Sequence, residues 1–329
     1  MKTMAAAVTI GLVLILANIP AGLCYDTALQ VGFYKGKCKF EDVESIVAGV
    51  VTARFINDQT IAAALLRMQF HDCFVNGCDA SILLDGSSSE KTAIPNLSVR
   101  GYDVIDQAKA AVERICPGIV SCADIIAIAT RDAVFLSGGK RYYVQTGRRD
   151  GLVSLAKNVN LPAPSITVSQ SIAAFDKKGL NSTDMVLLLG GHTIGVAHCS
   201  LFKDRLYNFN NTGRADPTMD PFLATLLRFR CPQISTTDNT VNLDQNPLSS
   251  SIVDSSYYRQ LMLNRGILQI DQELALDPLT KATVKSLAYG FDFGIQFGDA
   301  MVKLGATEVL TGTQGEIRRS CRATNMRST

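Results

Sequence analysis

Apolar and polar residues follow one another along this chain mainly with the spacing of α-helices. Residues 61–66 form an apolar run of good helix formers without Gly or Pro, so the helix that they begin should continue to about Asp72. Ser121 is in the position of an N-cap for another helix, and Gly138 and Gly139 should end it. Further helices are predicted over residues 42–55, 102–116, 122–137, 168–177 and 182–189.

Strand signals are confined to short stretches such as residues 142–145. Residues 208–221 and 236–251 are polar and rich in turn formers, which predicts that they lie on the surface. The whole pattern predicts a mainly α fold with very little strand.

The end of the helix over residues 61–72 concentrates chemically active side chains. Arg67 and His71 are four residues apart, so they share one helix face with Cβ atoms roughly 6 Å apart. A permanent positive charge beside an imidazole lowers the pKa of that imidazole, which makes His71 a candidate general base. For this pair alone the alternative is a solvated Arg beside a half-buried structural His.

The loop behind this helix offers oxygen ligands at short intervals. They are the Asp72 and Asp79 carboxylates, the Ser81 hydroxyl and the carbonyls near Val75 and Gly77. Hard oxygen donors on a short irregular loop suit calcium. Cys73 and Cys78 bracket the loop, and a bridge between them would hold the oxygens together. The alternative is that both carboxylates are only turn and cap residues.

The first residues predict export. Lys2 precedes an apolar stretch over residues 4–19 and a short segment that ends at Cys24, which is typical of a cleavable signal peptide over residues 1–24. No later segment has the roughly 18 uninterrupted apolar residues that a transmembrane helix requires. The mature protein, residues 25–329, is therefore expected to be secreted and to have no membrane contact after cleavage.

Cysteine and charge composition narrow the picture further. Of nine cysteines, eight follow residue 24, and an even number in an oxidising compartment predicts four disulfides. Zinc ligation by cysteine is disfavoured, because the Cys73 and Cys78 spacing does not match a zinc knuckle. Sequons at Asn96, Asn181 and Asn210 fit a secreted glycoprotein. A net charge of +2 with interleaved signs argues against nucleic acid as a partner.

The chain has only three histidines, namely His71, His192 and His198. His192 follows Gly190 and Gly191 in an apolar helix, and glycines there would thin the helix surface so that a broad, flat group can approach. A single His in apolar surroundings is more often a core residue than a ligand. Haem, however, needs a protein nitrogen on one face and a polar pocket on the other, and the chain supplies one histidine for each.

Five motifs stand in order along the chain: Arg67-x-x-Phe70-His71-Asp72-Cys73-Phe74-Val75-x-Gly77-Cys78-Asp79-Ala80-Ser81, Ser121-Cys122-Ala123-Asp124, Gly147-Arg148-Arg149-Asp150-Gly151, Leu161-Pro162-x-Pro164 and Gly190-Gly191-His192-Thr193-Ile194-Gly195. Together they resemble the signatures of class III secretory plant haem peroxidases, and the resemblance runs from about Phe33 to Cys321. It implies the plant haem-peroxidase fold: a single domain over residues 25–329, with distal and proximal helical lobes sandwiching one haem b.

The resemblance implies a role for each residue at the haem. His192 would bind the iron, and Asp271 would accept the other ring N–H of that imidazole. His71 would be the distal base and Arg67 the distal cation. The side-chain oxygen of Asn96 would fix the tautomer of His71, leaving its Nε2 free as a base.

Three further residues have implied supporting roles. Phe70 would pack beside the distal pair and restrict access to the iron, and the Pro162 carbonyl would orient phenolic donors at the haem edge. Glu90 would link the Asn96 contact to a distal calcium. The sequon at Asn96 should then be empty, because a glycan would displace this contact.

Two calcium ions and four disulfides are also implied. The distal calcium ligands would be Asp72, Val75, Gly77, Asp79 and Ser81. The proximal calcium ligands would be Thr193, Asp244, Ser249, Ile252 and Asp254. A run of serines over residues 249–251 replaces the usual threonine, so which serine binds is open. The implied bridges are Cys38–Cys116, Cys73–Cys78, Cys122–Cys321 and Cys199–Cys231.

The implied activity is that of a peroxidase, a phenolic donor:hydrogen-peroxide oxidoreductase that reduces hydrogen peroxide and oxidises phenolic donors in two one-electron steps. Lignin or suberin formation, wall cross-linking and the oxidative stress response are compatible roles. A monomer in the extracellular space or cell wall is expected rather than a vacuolar protein, since no apolar extension follows Cys321. The alternatives are a secreted haem- and calcium-binding protein without turnover, and a zinc hydrolase using His71 and His192.

Overall fold

The computed structural model describes residues 29–38 and 42–325. The predicted signal peptide, residues 1–24, lies outside the described residues, and the single domain over residues 25–329 stays a prediction. Helices dominate the described part of the chain. They are α1 Val43–Asn57, α2 Ile61–Cys73, α3 Tyr102–Ile115, α4 Cys122–Leu136, α5 Val168–Asp176, α6 Ser182–Leu189, α7 Lys203–Tyr207, α8 Pro221–Arg230, α9 Ser256–Met262, α10 Gln269–Leu276, α11 Lys281–Tyr289 and α12 Phe293–Gly305.

The six helices predicted from the sequence are confirmed as α1 to α6, because local signals set their ends. The Asp42 side chain caps α1 by accepting a hydrogen bond from the Glu44 backbone N–H. The Ser121 hydroxyl caps α4 by accepting from the Asp124 N–H at 3.1 Å. Gly138 follows α4 with φ +86°, a left-handed conformation that glycine adopts without a steric penalty.

The helices that carry the two histidine segments pack around α4 and α12. Helix α4 is buried from Cys122 to Val134, and α1, α2 and α3 pack against it. Helices α5 and α6 pack together, and α9 packs on α10 and α11. Helix α12 contacts both α2 and α6, so it connects the helix that carries His71 with the helix that leads to His192.

The strands are short and differ from the prediction. Those described are β1 Gln30–Val31, β2 Gln145–Thr146, β3 Val196–His198 and β4 Thr240–Asn242, paired antiparallel as β1 with β2 and β3 with β4. The strand predicted over residues 142–145 is found instead at Gln145–Thr146. The expectation that residues 236–251 lie wholly on the surface was wrong, because β4 pairs there and the Asp244 and Ser249 side chains are buried.

Four disulfides join the described cysteines: Cys38–Cys116, Cys73–Cys78, Cys122–Cys321 and Cys199–Cys231. They are the pairs that the resemblance implies, and they leave none of these eight cysteines for zinc. The Cys122–Cys321 bridge spans 199 residues of sequence. Such a bridge stabilises mainly by restricting the unfolded chain, typically by about 2–4 kcal/mol. Within residues 29–38 and 42–325, no helix is long and apolar enough to span a bilayer.

Candidate active site

The last two turns of α2 bring Arg67 and His71 together, as their spacing predicts. Arg67 Nε lies 3.2 Å from His71 Nε2 and donates a hydrogen bond to it. The rest of the guanidinium is held by the loop before α3: Nη1 donates to Ser98 Oγ at 3.0 Å and Nη2 to the Pro95 carbonyl at 2.8 Å. The sequence did not predict these two anchors of Arg67.

Asn96 fixes the tautomer of His71. Asn96 Nδ2 donates to the Glu90 carbonyl at 2.8 Å, so the Asn96 Oδ1 faces His71 Nδ1 at 2.6 Å. An amide oxygen only accepts hydrogen bonds, which places the imidazole proton on Nδ1 and leaves a lone pair on Nε2. Asn96 is only 2% exposed and both ends of its amide are engaged, which favours an empty sequon there. The sequons at Asn181 and Asn210 are exposed.

The surroundings of His71 keep it neutral. Burial and the charge of Arg67 lower the pKa of His71 to about 4, against a weaker upward effect of the hydrogen bond to Asn96. The ring therefore presents an unprotonated Nε2 over the whole range from mildly acidic to neutral pH. This is the state that a general base needs before it accepts a proton.

His192 lies in the short turn after α6 and contacts α10. Its Nδ1 is 2.8 Å from Asp271 Oδ1, and the Asp271 side chain is completely buried. Burial alone would lower the pKa of His192, but the charge and hydrogen bond of Asp271 outweigh it and raise that pKa. The hydroxyl of Tyr257 on α9 donates to the same Asp271 oxygen at 2.8 Å, a contact that the sequence did not predict.

The two glycines before His192 lie close to protein side chains. A Cβ on Gly190 would lie 2.9 Å from the Phe293 ring, and a Cβ on Gly191 would lie 3.1 Å from Leu66 Cδ2. The prediction that these glycines clear a face for a flat group stays a prediction. The contacts show that they also let the segment before His192 pack closely against protein side chains.

The loop after α2 is folded around its two carboxylates. Asp72 accepts a hydrogen bond from the Ala80 N–H at 3.0 Å, and Asp79 accepts from the Ser81 N–H at 2.9 Å. Ala80 has φ +58°, a left-handed conformation that is uncommon for a residue with a side chain. Gly77, at φ +90°, allows the loop to approach Glu308, since a Cβ there would lie 2.7 Å from the Glu308 Cβ. Both carboxylates therefore accept hydrogen bonds within the turn, but these contacts alone do not explain why both are buried.

A second group of oxygens surrounds the residue after His192. Thr193 Oγ1 donates to the Ile252 carbonyl at 3.0 Å and lies 3.4 Å from the Asp254 N–H. Asp244 is buried, and one of its oxygens, Oδ2, has no hydrogen-bond partner in the described part of the chain. Ser249 is the buried residue of the 249–251 serine run, and its hydroxyl accepts from Asn246.

Comparison with known proteins identifies this arrangement. A family model described as Peroxidase matches residues 47–290. Peroxidase 60 of Arabidopsis thaliana is 56% identical over 304 residues, covering 92% of this chain and 91% of the relative. Peroxidase N1 of Nicotiana tabacum is 45% identical over 320 residues (95% and 96%), and Peroxidase 5 of Vitis vinifera is 47% identical over 307 residues (91% and 92%). The chain belongs to the class III plant peroxidases.

Plant peroxidases are enzymes that reduce hydrogen peroxide and take electrons from reducing substrates, and haem and calcium are their cofactors. The His192 side chain fits a haem ligand. Its Nδ1 is held by Asp271, whereas its Nε2 has no hydrogen-bond partner among the described residues and the side chain is 30% exposed. A histidine whose second nitrogen is fixed by a buried carboxylate is the usual form of a metal-binding imidazole.

The two oxygen clusters offer ligands of the chemical type that calcium ions of peroxidases require. Burial and the neighbouring Asp79 charge raise the pKa of Asp72 well above its usual value, so a cation between them would offset a real cost. The buried hydroxyl of Ser81 has no hydrogen-bond partner within the described chain. No group of three His, Cys, Asp or Glu side chains suited to a metal occurs in residues 29–38 and 42–325. A cation here would therefore also need hydroxyl and carbonyl oxygens, which calcium accepts.

The remaining predicted residues lie around these centres. Phe70 stacks on Phe74 with ring centroids 4.7 Å apart and meets the His71 ring edge-on at 6.1 Å. Glu90 is completely buried, and burial raises its pKa to about 7.

Three predicted positions have contacts of other kinds. The Val75 carbonyl accepts a hydrogen bond from Lys178 Nζ at 3.2 Å. Pro162 is half-buried in the loop whose Pro164 carbonyl accepts from the Ile270 N–H, directly before Asp271. The third histidine, His198, is partly exposed on β3, with Nδ1 3.3 Å from the Asp238 carbonyl.

Proposed function

We propose that this peroxidase holds one haem b through His192 and uses Arg67, His71 and Asn96 to activate hydrogen peroxide for the oxidation of phenolic donors. The observation that carries the proposal is the 2.6 Å contact between His71 Nδ1 and Asn96 Oδ1. It leaves the Nε2 lone pair of a neutral imidazole next to a guanidinium, and few structural roles need that combination.

Each distal side chain has a defined task. His71 Nε2 accepts the proton from the attacking oxygen of the peroxide and returns it to the departing oxygen, so that water leaves. Arg67 stabilises the negative charge that develops on the departing oxygen. Asn96 keeps the His71 proton on Nδ1 and the ring in place. Haem, when bound, supplies the iron that takes up the two oxidising equivalents of the peroxide and passes them to donors singly.

The proximal residues hold the cofactor. His192 Nε2 would be the iron ligand, and the hydrogen bond from His192 Nδ1 to Asp271 makes the imidazole a stronger electron donor. Phe70 would limit access to the distal face. Pro162 would accept a hydrogen bond from phenolic donors at the haem edge.

Two calcium ions would stabilise the two histidine segments. The distal ligands would be Asp72, Val75, Gly77, Asp79 and Ser81, with Glu90 linking this site to Asn96. The proximal ligands would be Thr193, Asp244, Ser249, Ile252 and Asp254. The burial of Ser249 supports its choice over the two serines that follow it.

The protein is proposed to be a secreted monomer of the extracellular space or cell wall. Lignin or suberin formation, wall cross-linking and the oxidative stress response would each use the coupling of phenols that follows one-electron oxidation. The four disulfides support an oxidising compartment.

The test is to purify the protein with haem and calcium, record its visible spectrum and follow peroxide-dependent oxidation of several phenols. A Soret band and turnover with phenols are expected. Absence of the Soret band after haem addition would contradict the haem site. Haem binding without any peroxide-dependent turnover would instead favour a binding protein. Steady-state rates for a series of phenols, together with localisation of the tagged protein, would define the donor class.

A further inference from the structure

The carboxylate behind His192 serves two donors through one oxygen. His192 Nδ1 and Tyr257 Oη each lie 2.8 Å from Asp271 Oδ1. The other oxygen, Oδ2, is buried and has no hydrogen-bond partner in the described part of the chain. Asp271 is completely buried, so its charge must be compensated by hydrogen bonds. Among the described side chains, His192 and Tyr257 are the two donors that do this.

Packing fixes the Tyr257 hydroxyl as a permanent donor. The ring is only 1% exposed and meets the His192 ring edge-on, with centroids 6.1 Å apart at 82°. The Tyr258 ring lies 5.1 Å away on the next residue and in turn meets Phe293. Burial and the Asp271 charge raise the pKa of Tyr257 well above its usual value, so the phenol keeps its proton.

The backbone before Tyr257 is also anchored. The Ser256 N–H donates to Asp254 Oδ1 at 2.6 Å, and the Ser256 hydroxyl lies 3.4 Å from Asp244 Oδ1. The start of α9 is therefore tied to the oxygen cluster beside Thr193. This attachment restrains the backbone next to Tyr257.

We propose that Tyr257 is a positioning residue of the proximal site: its hydroxyl binds Asp271 Oδ1 and limits the negative charge that this oxygen presents to the imidazole. Two donors on one ionised oxygen share its lone pairs, so each hydrogen bond is weaker than it would be alone. A weaker hydrogen bond from His192 leaves the imidazole less electron-rich, and an iron bound to it is easier to reduce. The inference rests on haem ligation by His192.

The test compares Tyr257→Phe with Tyr258→Phe in the full, haem-bound protein. Both replacements remove one hydroxyl from a fully buried ring on the same helix. The Tyr258 hydroxyl, however, donates to the Val186 carbonyl at 2.9 Å and does not touch Asp271. Only Tyr257→Phe should therefore alter the His192–Asp271 pair, whereas both should alter thermal stability.

The measurements are the Fe(III)/Fe(II) midpoint potential and the iron–histidine stretching frequency of the ferrous protein. Tyr257→Phe should shift the reduction equilibrium roughly three- to tenfold toward Fe(III), which is about 28 to 59 mV more negative for a one-electron couple. The stretching frequency should rise. Tyr258→Phe should change neither quantity. Tyr257→Leu, which also lacks the hydroxyl, should shift the potential in the same direction as Tyr257→Phe.

Three results would overturn the proposal. An unchanged potential in Tyr257→Phe would show that the hydroxyl does not act on Asp271, and equal shifts in Tyr257→Phe and Tyr258→Phe would show a general packing effect. If the unsubstituted protein fails to bind haem through His192, its own spectrum reveals this before any variant is made, and the role of Tyr257 falls with the proposed haem site.

Discussion

The two histidine sites share one hydrogen-bonding arrangement at Nδ1 and differ in the charge of the groups around the ring. In each, Nδ1 is held by a buried side-chain oxygen, at 2.6 Å from Asn96 for His71 and at 2.8 Å from Asp271 for His192. The distal acceptor is a neutral amide beside a guanidinium, and the pKa of His71 falls to about 4. The proximal acceptor is a carboxylate, and the pKa of His192 rises.

Under the proposed function, this difference lets the same type of side chain act as a base in the distal site and as the iron ligand in the proximal site. A neutral acceptor fixes the tautomer and raises the pKa of the imidazole less than burial and Arg67 lower it, so Nε2 stays unprotonated at neutral pH. A charged acceptor strengthens the imidazole as an electron donor. The identity of the Nδ1 partner, amide or carboxylate, therefore separates the two proposed roles.

Removing the distal base should have the largest effect. His71→Leu should slow the reaction with hydrogen peroxide roughly 100- to 10,000-fold, because no other distal group accepts and returns the proton. Stopped-flow recording of the Soret band after mixing with peroxide measures this step. His198→Leu, at the partly exposed third histidine, is the control and should react normally. A His71→Leu protein with the unsubstituted rate would exclude the base role.

Weakening the proximal partner should affect cofactor binding instead. Asp271→Asn removes the charged acceptor of His192, and the loss of such an outer partner typically costs about 10- to 100-fold in metal affinity or activity. Haem titration followed at the Soret band gives the affinity. His71→Leu should bind haem like the unsubstituted protein. The opposite result, with weak binding only in His71→Leu, would reverse the assignment of the two sites.

The oxygen-rich loop after α2 should couple calcium binding to the position of His71. Ser81→Ala should weaken calcium binding. Removal of calcium by a chelator should slow the peroxide step about tenfold, because the end of α2 that carries His71 loses its support; this is the lower end of the effect of losing a partner outside the ligand shell. Titrating calcium back into chelated protein while recording that rate measures both quantities. Ser89→Ala removes another buried hydroxyl without a partner in the described chain, and it should behave normally. Full activity in calcium-free protein would contradict this coupling between calcium and His71.

The smallest expected effect is on the acidic side (the acid limb) of the pH dependence of the peroxide reaction. Since the pKa of His71 is about 4, the rate constant of the peroxide step should be level above pH 5 and fall as pH drops through 4, where the base becomes protonated. Asn96→Asp replaces the neutral acceptor with a charged one and should move this limb up by about one pH unit or more. Asn181→Asp, at an exposed asparagine, should leave it in place. An unmoved limb in Asn96→Asp would show that the charge of the Nδ1 partner does not control the basicity of His71.

Local sequence signals predicted the first half of the fold well. Helices α1 to α6 were predicted because caps such as Ser121, breakers such as Gly138 and apolar spacing act within a few residues. The short strand β4 was missed, since its pairing with β3 depends on a partner more than forty residues away. The burial of Asp244 was missed for the same reason, because a polar segment shows no sign of the groups that will enclose it.

At the site, the groups themselves could be read from the sequence: an Arg and a His one helical turn apart, a carboxylate-rich loop between two cysteines, and a second His beside glycines. Their partners became visible only in the folded chain, namely Pro95 and Ser98 on Arg67, Phe293 against Gly190, and Tyr257 on Asp271. The difference comes from how far along the chain each kind of interaction reaches. Helix spacing and loop composition act between neighbours in the chain, whereas hydrogen bonds to buried groups depend on which distant segments the packing brings within 3 Å.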